Sequence, residues 1–102
     1  MRSDRADVGF IGAGQLARMS AAPAIALDLR LALLASRTDD GAAQVIPDVT
    51  IGDPDDPVAV EALAARCGVL TFDHELVDTD LLERLERQGY AVRPSSAVMR
   101  LS

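Results

Sequence analysis

At 102 residues, with 49% hydrophobic and 25% charged side chains, the chain is sized and composed for one globular, soluble domain, which excludes disorder for most of it. Ten basic against sixteen acidic residues give a formal charge of -6, which argues against a nucleic-acid or anionic-membrane surface. A single cysteine, Cys67, excludes an internal disulfide and a multi-cysteine zinc site, and no apolar stretch is long enough to span a bilayer, so a cytoplasmic setting is expected.

In chain order, Met1 to Asp7 reads as a flexible polar segment, followed by an apolar strand over Val8 to Ile11. The strand runs into a glycine turn, Gly12-Ala13-Gly14, and a helix beginning near Gly14 or Gln15. Missing Cβ atoms at Gly12 and Gly14 let the backbone turn sharply and another group approach the amides closely. The free amides of the helix start favour an anion or a polar oxygen. Leu16, Met19, Pro23, Ala26 and Leu27 recur at helical spacing and predict one apolar face, with a kink or break near Ala21 or Ala22 because of Pro23. Leu31 to Ala35 is a continuous apolar run, as a strand covered on both faces should be.

Ser36 to Gly41 reads as a loop, Ala42 to Val45 as one helical turn, and Val49 to Gly52 as a short third strand near a sheet edge. Asp56 as N-cap and Pro57 at the first position open the next helix, which carries Val60, Leu63, Ala64 and Cys67 inward and stops at Gly68. Val69 to Phe72 is a fourth strand, ending in Asp73-His74-Glu75. A further helix is expected with Asp78 or Thr79 as cap, Leu81, Leu82 and Leu85 inward, and Gly89 past its end. Tyr90 to Val92 reads as a fifth strand and Arg93 to Ser96 as a turn.

Alternating strands and helices predict an α/β fold: a Rossmann-like open parallel sheet with helices on both faces, in one domain. In the usual 3-2-1-4 strand order the first and fourth strands are neighbours, so the glycine turn and Asp73-His74-Glu75 face each other at the carboxyl ends, where such sheets bind ligands. Gly12-Ala13-Gly14-Gln15-Leu16-Ala17 also matches the dinucleotide fingerprint. A NAD site wants an acid at the end of the second strand, and Ser36-Arg37 stands there instead, so a small NADP-binding module using Gly12, Gly14 and Arg37 is the alternative. A carboxylate beside the turn repels a pyrophosphate and suits the hydroxyls or amine of a polar small molecule. His74, one imidazole between two acids, makes no metal site without further ligands.

Phe10-Ile11-Gly12-Ala13-Gly14-Gln15-Leu16-Ala17-Arg18-Met19 resembles the Gly-Gly-Gly-Gln-Leu-(Gly/Ala)-Arg-Met opening of N5-carboxyaminoimidazole ribonucleotide synthases. Ala42-Ala43-Gln44-Val45, Gly52-Asp53, Thr71-Phe72-Asp73-His74-Glu75 and Val92-Arg93-Pro94-Ser95 resemble later motifs of that family, in order and spacing. The resemblance implies the pre-ATP-grasp domain of a purine-biosynthesis ligase that carboxylates 5-aminoimidazole ribonucleotide with bicarbonate and ATP. It implies a substrate-binding set of Gly12, Gly14, Gln15, Leu16, Asp73 and Glu75, with positioning roles and no catalytic or metal-binding residue. It implies that residues 8 to 96 form the domain and that residues 97 to 102 begin a junction to a missing ATP-grasp domain. That domain would carry MgATP in the parent enzyme, while the fragment alone binds no cofactor, is inactive, and leaves a homodimer open. Asp28, Ser36, Ala13 and Asp78 depart from the residues common at those places in the family.

Overall fold

The structure, a computed structural model, describes residues 5–73 and 77–101. Four strands, β1 (Ala6–Ile11), β2 (Leu31–Ala35), β3 (Val49–Ile51) and β4 (Cys67–Phe72), lie parallel in the order β3-β2-β1-β4. This is the expected order. β2 is apolar throughout because it lies between β1 and β3, and Ala32 to Ala35 are fully buried. β3 is the edge, and its Thr50 and Ile51 are exposed.

Helices cover both faces. Phe10, Leu33 and Ala35 pack with Ala17 of α1 (Gln15–Met19), Ala21 of α2 (Ala21–Ala26) and a 3-10 turn at Ala42–Gln44. Ile11, Leu34, Leu70 and Phe72 pack on the other face with Val60 and Leu63 of α3 (Pro57–Ala65) and Leu81, Leu82 and Leu85 of α4 (Thr79–Arg87). A last helix, α5 (Ser96–Arg100), lies against α4 through Met99. Asp56 caps α3 by accepting from Val58 N, and Asp78 caps α4 by accepting from Asp80 N and Leu81 N.

The structure corrects several expected boundaries. β1 begins at Ala6, so Ala6 and Asp7 belong to the sheet rather than to a flexible segment. The break expected near Ala21 or Ala22 falls at Ser20, which divides the first helix in two, and Pro23 is the third residue of α2. A proline within the first turn costs no hydrogen bond, because those amides have no partner inside a helix. The buried residues of α1 and α2 are Ala17 and Ala24, whereas Leu16, Met19 and Leu27 are exposed. α3 stops at Ala65, and Cys67 and Gly68 already lie in β4. Gly68 is there because a Cβ would stand 3.0 Å from the Asp7 carbonyl oxygen of β1, not because it ends the helix. Tyr90 to Val92 forms a single bridge, Val92 to Leu70, rather than a strand. Residues 97–100, expected to begin a junction, lie in α5, which packs on α4; that packing leaves the junction expectation untested.

Candidate functional site

The parallel register decides what meets at the carboxyl ends. Ile11 pairs with Leu34 on one side and Phe72 on the other, so the next residues, Gly12 and Asp73, leave the sheet side by side. Gly12 N donates to Leu34 O at 2.9 Å, and Asp73 N donates to Ile11 O at 3.1 Å, which extends the ladder one residue into both loops. Gly12 then takes φ 94°, a left-handed conformation that glycine adopts freely. The chain turns into α1 within two residues.

The helix start meets a carboxylate from its own chain. Asp73 Oδ1 accepts from Leu16 N at 3.0 Å and so caps α1, whose N-cap residue Gly14 has no side chain to do so. Asp73 Oδ2 is buried and has no hydrogen-bond partner among the described residues. It lies over Gly14, where a Cβ would come within 2.7 Å of it. The turn is further tied to the loop after β2: Ala42 N donates to Ala13 O at 2.9 Å, and Arg18 donates to Gly41 O at 2.9 Å and to the Gln44 side chain at 3.2 Å.

On the β2 and β3 side of the turn lies an open cavity of about 410 Å³, lined by Gly12, Gly14, Ser36, Asp40, Asp53 and Asp55 among others. Its charged lining is acidic. Asp40 Oδ2 accepts from the amides of Ser36 and Arg37, and the Arg37 guanidinium pairs with Asp39 at 2.9 Å. An apolar cleft of the same volume lies at the opposite ends of β2 and β3, between α2 and the segment before β3. None of the expected site residues among the described ones lines it.

The expected meeting of the glycine turn with Asp73 is therefore present. Gly12, Gly14, Gln15, Leu16 and Asp73 come together, the side chains of Gln15 and Leu16 being exposed. Glu75 and His74 lie outside the described residues. Sequence reasoning missed Asp40, which takes the amides at the end of β2, and Arg18, which braces α1 against the 3-10 turn. The Asp39-Asp40-Gly41 run is the signal that could have found the first, since aspartates at loop starts commonly bond nearby amides. Cys67 is buried in the core at the far end of β4; burial pushes its thiol pKa up, and no role at the carboxyl ends is open to it.

Among the described residues no group of three or more His, Cys, Asp or Glu side chains could hold a metal ion, and no helix is long and apolar enough to cross a membrane.

The sequence matches the ribonucleotide synthetase preATP-grasp domain over residues 5–102. The N5-carboxyaminoimidazole ribonucleotide synthase of Mycobacterium tuberculosis is 50% identical over 88 residues, which are 86% of this chain and 20% of that protein. Among solved structures, N5-carboxyaminoimidazole ribonucleotide synthetase from Thermotoga maritima superposes with a TM-score of 0.86 at 27% identity, covering 94% of this chain and 27% of that one. The Aspergillus clavatus N5-carboxyaminoimidazole synthase, in complex with ADP and 5-aminoimidazole ribonucleotide, superposes with a TM-score of 0.81 at 30% identity, covering 95% of this chain and 26% of that one. The chain thus spans about a fifth of the length of the curated relative it matches.

Proposed function

The chain belongs to the ribonucleotide synthetase preATP-grasp domain family, and from that premise we propose that it supplies one wall of the 5-aminoimidazole ribonucleotide site of an ATP-dependent carboxylase of purine biosynthesis. The observation that carries the reading is the Asp73 carboxylate, held beside the glycine turn with acceptor capacity unspent. Among the described residues only Leu16 N reaches the carboxylate, at Oδ1 in an exposed bond, so Oδ1 keeps a second lone pair for a ligand's donor while Oδ2 is buried over Gly14. Ribose hydroxyls and an exocyclic amine are the donors that such an acceptor takes. Asp40, Asp53 and Asp55 repel a phosphate, so the hydroxyl side of the ribonucleotide is the side presented to this domain. Gln15, with an amide that both donates and accepts, stands exposed at the same turn. Glu75 belongs to this set by its place in the motif.

These residues bind and orient; none is asked to move a proton. ATP supplies the energy for bicarbonate activation in the family reaction, but the described residues do not fit MgATP. The chain contains no lysine, and its described carboxylates form no metal-ligating group. ATP binding and the carboxylation step belong, on this reading, to domains that the longer relatives carry beyond the matched fifth. A reducing cytoplasm goes with the same reading, since the chain's only thiol is free and buried.

The NADP reading meets two obstacles. A pyrophosphate at the start of α1 would stand against Asp73, and Arg37 is paired with Asp39 rather than poised for a 2′-phosphate. Calorimetric titration separates the two. The ribonucleotide should bind and Asp73→Ala should abolish binding; NADP binding at micromolar strength that disappears with Arg37→Ala would overturn the proposal.

A further inference from the structure

The two glycines of the turn differ in what they require. Gly12 sits at φ 94°, so its backbone alone calls for glycine. Gly14 sits at φ -90° and ψ -150°, an extended conformation open to any residue, so its backbone does not. What excludes a side chain at Gly14 is Asp73: a Cβ there would lie 2.7 Å from Oδ2 and 3.4 Å from the carboxyl carbon.

We infer that Gly14 is a positioning residue for Asp73, its missing Cβ forming the seat into which the second carboxylate oxygen sinks while the first caps α1 at Leu16 N. Two contacts then fix the carboxylate: a hydrogen bond at Oδ1 and a steric seat at Oδ2. A methyl group at position 14 must push the carboxylate away, and the carboxylate cannot move without loosening its bond to Leu16 N. The same substitution therefore uncaps α1 and displaces the acceptor. On this account the glycine serves the orientation of an acid from another strand and not direct contact with a ligand. Its consequence for the ribonucleotide rests on the function proposed above; the seat itself does not.

The test is a double-substitution cycle in 15N-labelled protein. Gly14→Ala should move the Leu16 amide resonance toward its position in Asp73→Ala, lower Tm by roughly 4 °C and weaken ribonucleotide binding about tenfold. In the Asp73→Ala background the same change should shift Tm by less than about 1 °C, because the clash is gone. Gly12→Ala, which acts on the backbone, should cost the same in both backgrounds. If Gly14→Ala fails to fold, folding of the Gly14→Ala, Asp73→Ala pair is the expected result. Equal Tm losses in both backgrounds, or a Leu16 amide unmoved by Gly14→Ala, would overturn the inference. Non-additivity in a protein that binds no ribonucleotide would uphold the seat and reject only the ligand.

Discussion

Asp28 shows how a single residue can carry a conformational cost that the rest of the fold sustains. It sits at φ 57° just past Leu27, the C-cap of α2, with Asp28 N donating to Ile25 O at 3.1 Å and Leu29 N to Ala24 O at 2.8 Å. These two bonds close the helix in a Schellman motif, whose left-handed position is normally glycine. Aspartate tolerates that conformation less well than glycine, so Asp28→Gly should stabilise the domain by about 0.5–1 kcal/mol. The urea midpoint should rise with an unchanged slope, and a lower midpoint would show that the aspartate contributes more than its backbone costs. This position was legible in the sequence, where aspartate replaces a residue usual in the family. The division of labour between Gly12 and Gly14 was not: both read as glycines of one motif, and only the φ of each and the place of Asp73 separate them.

Among the elements, α4 and α5 form a pair joined by polar contacts as well as by Met99. Glu86 accepts from both the amide and the hydroxyl of Ser96, the only polar residue among the described ones that is buried. Arg100 bridges Asp80 and Glu83, each at 2.9 Å, and Glu83 also pairs with Arg87 at 2.6 Å. Hydrogen bonds from Arg100 first, then Arg87, hold the Glu83 carboxyl below its ordinary pKa of 4.5. A depressed folded pKa gives stability that is present above 4.5 and lost as pH falls through the lower folded value. Protection of α5 amides against hydrogen exchange, corrected for intrinsic rates, should hold from neutral pH down to 4.5 and decline below it. Arg100→Ala should flatten that decline, and an undiminished decline in the variant would assign it to another carboxylate. The elements themselves were mostly legible because caps and periodicity agree: Asp56-Pro57 and Asp78 start α3 and α4 where they should. The failures have physical causes. Cys67 fits the helical spacing of Val60 and Leu63 yet is drawn into β4 by pairing with Ala6, a long-range contact that local pattern does not register. Leu16, Met19 and Leu27 have helical spacing too, but the break at Ser20 divides the stripe, and the alanines pack instead.

For the whole molecule, the parallel order β3-β2-β1-β4 turns two loops 57 residues apart into one site, with Leu16 N and Asp73 as its joint. That joint was legible from strand order alone; that Asp73 would cap α1 rather than stand across an open crevice from it was not, because a side chain's hydrogen bond leaves no trace in spacing. The same topology leaves α1 and α2 thinly packed, with Met19, Ile25 and Leu27 exposed beside two apolar clefts. It also gathers the acids Asp40, Asp53 and Asp55 over the ends of β2 and β3, beside the glycine turn. On the proposed function, the Asp73 side of the glycine turn receives a ribonucleotide. Titration of the 15N-labelled protein with 5-aminoimidazole ribonucleotide tests it most directly, residue by residue. Saturable amide shifts concentrated at Gly12 to Leu16 and Asp73, and absent in Asp73→Ala, are expected; a titration that leaves those amides unmoved while shifting Ser36, Arg37 and Asp53 would rule that placement out.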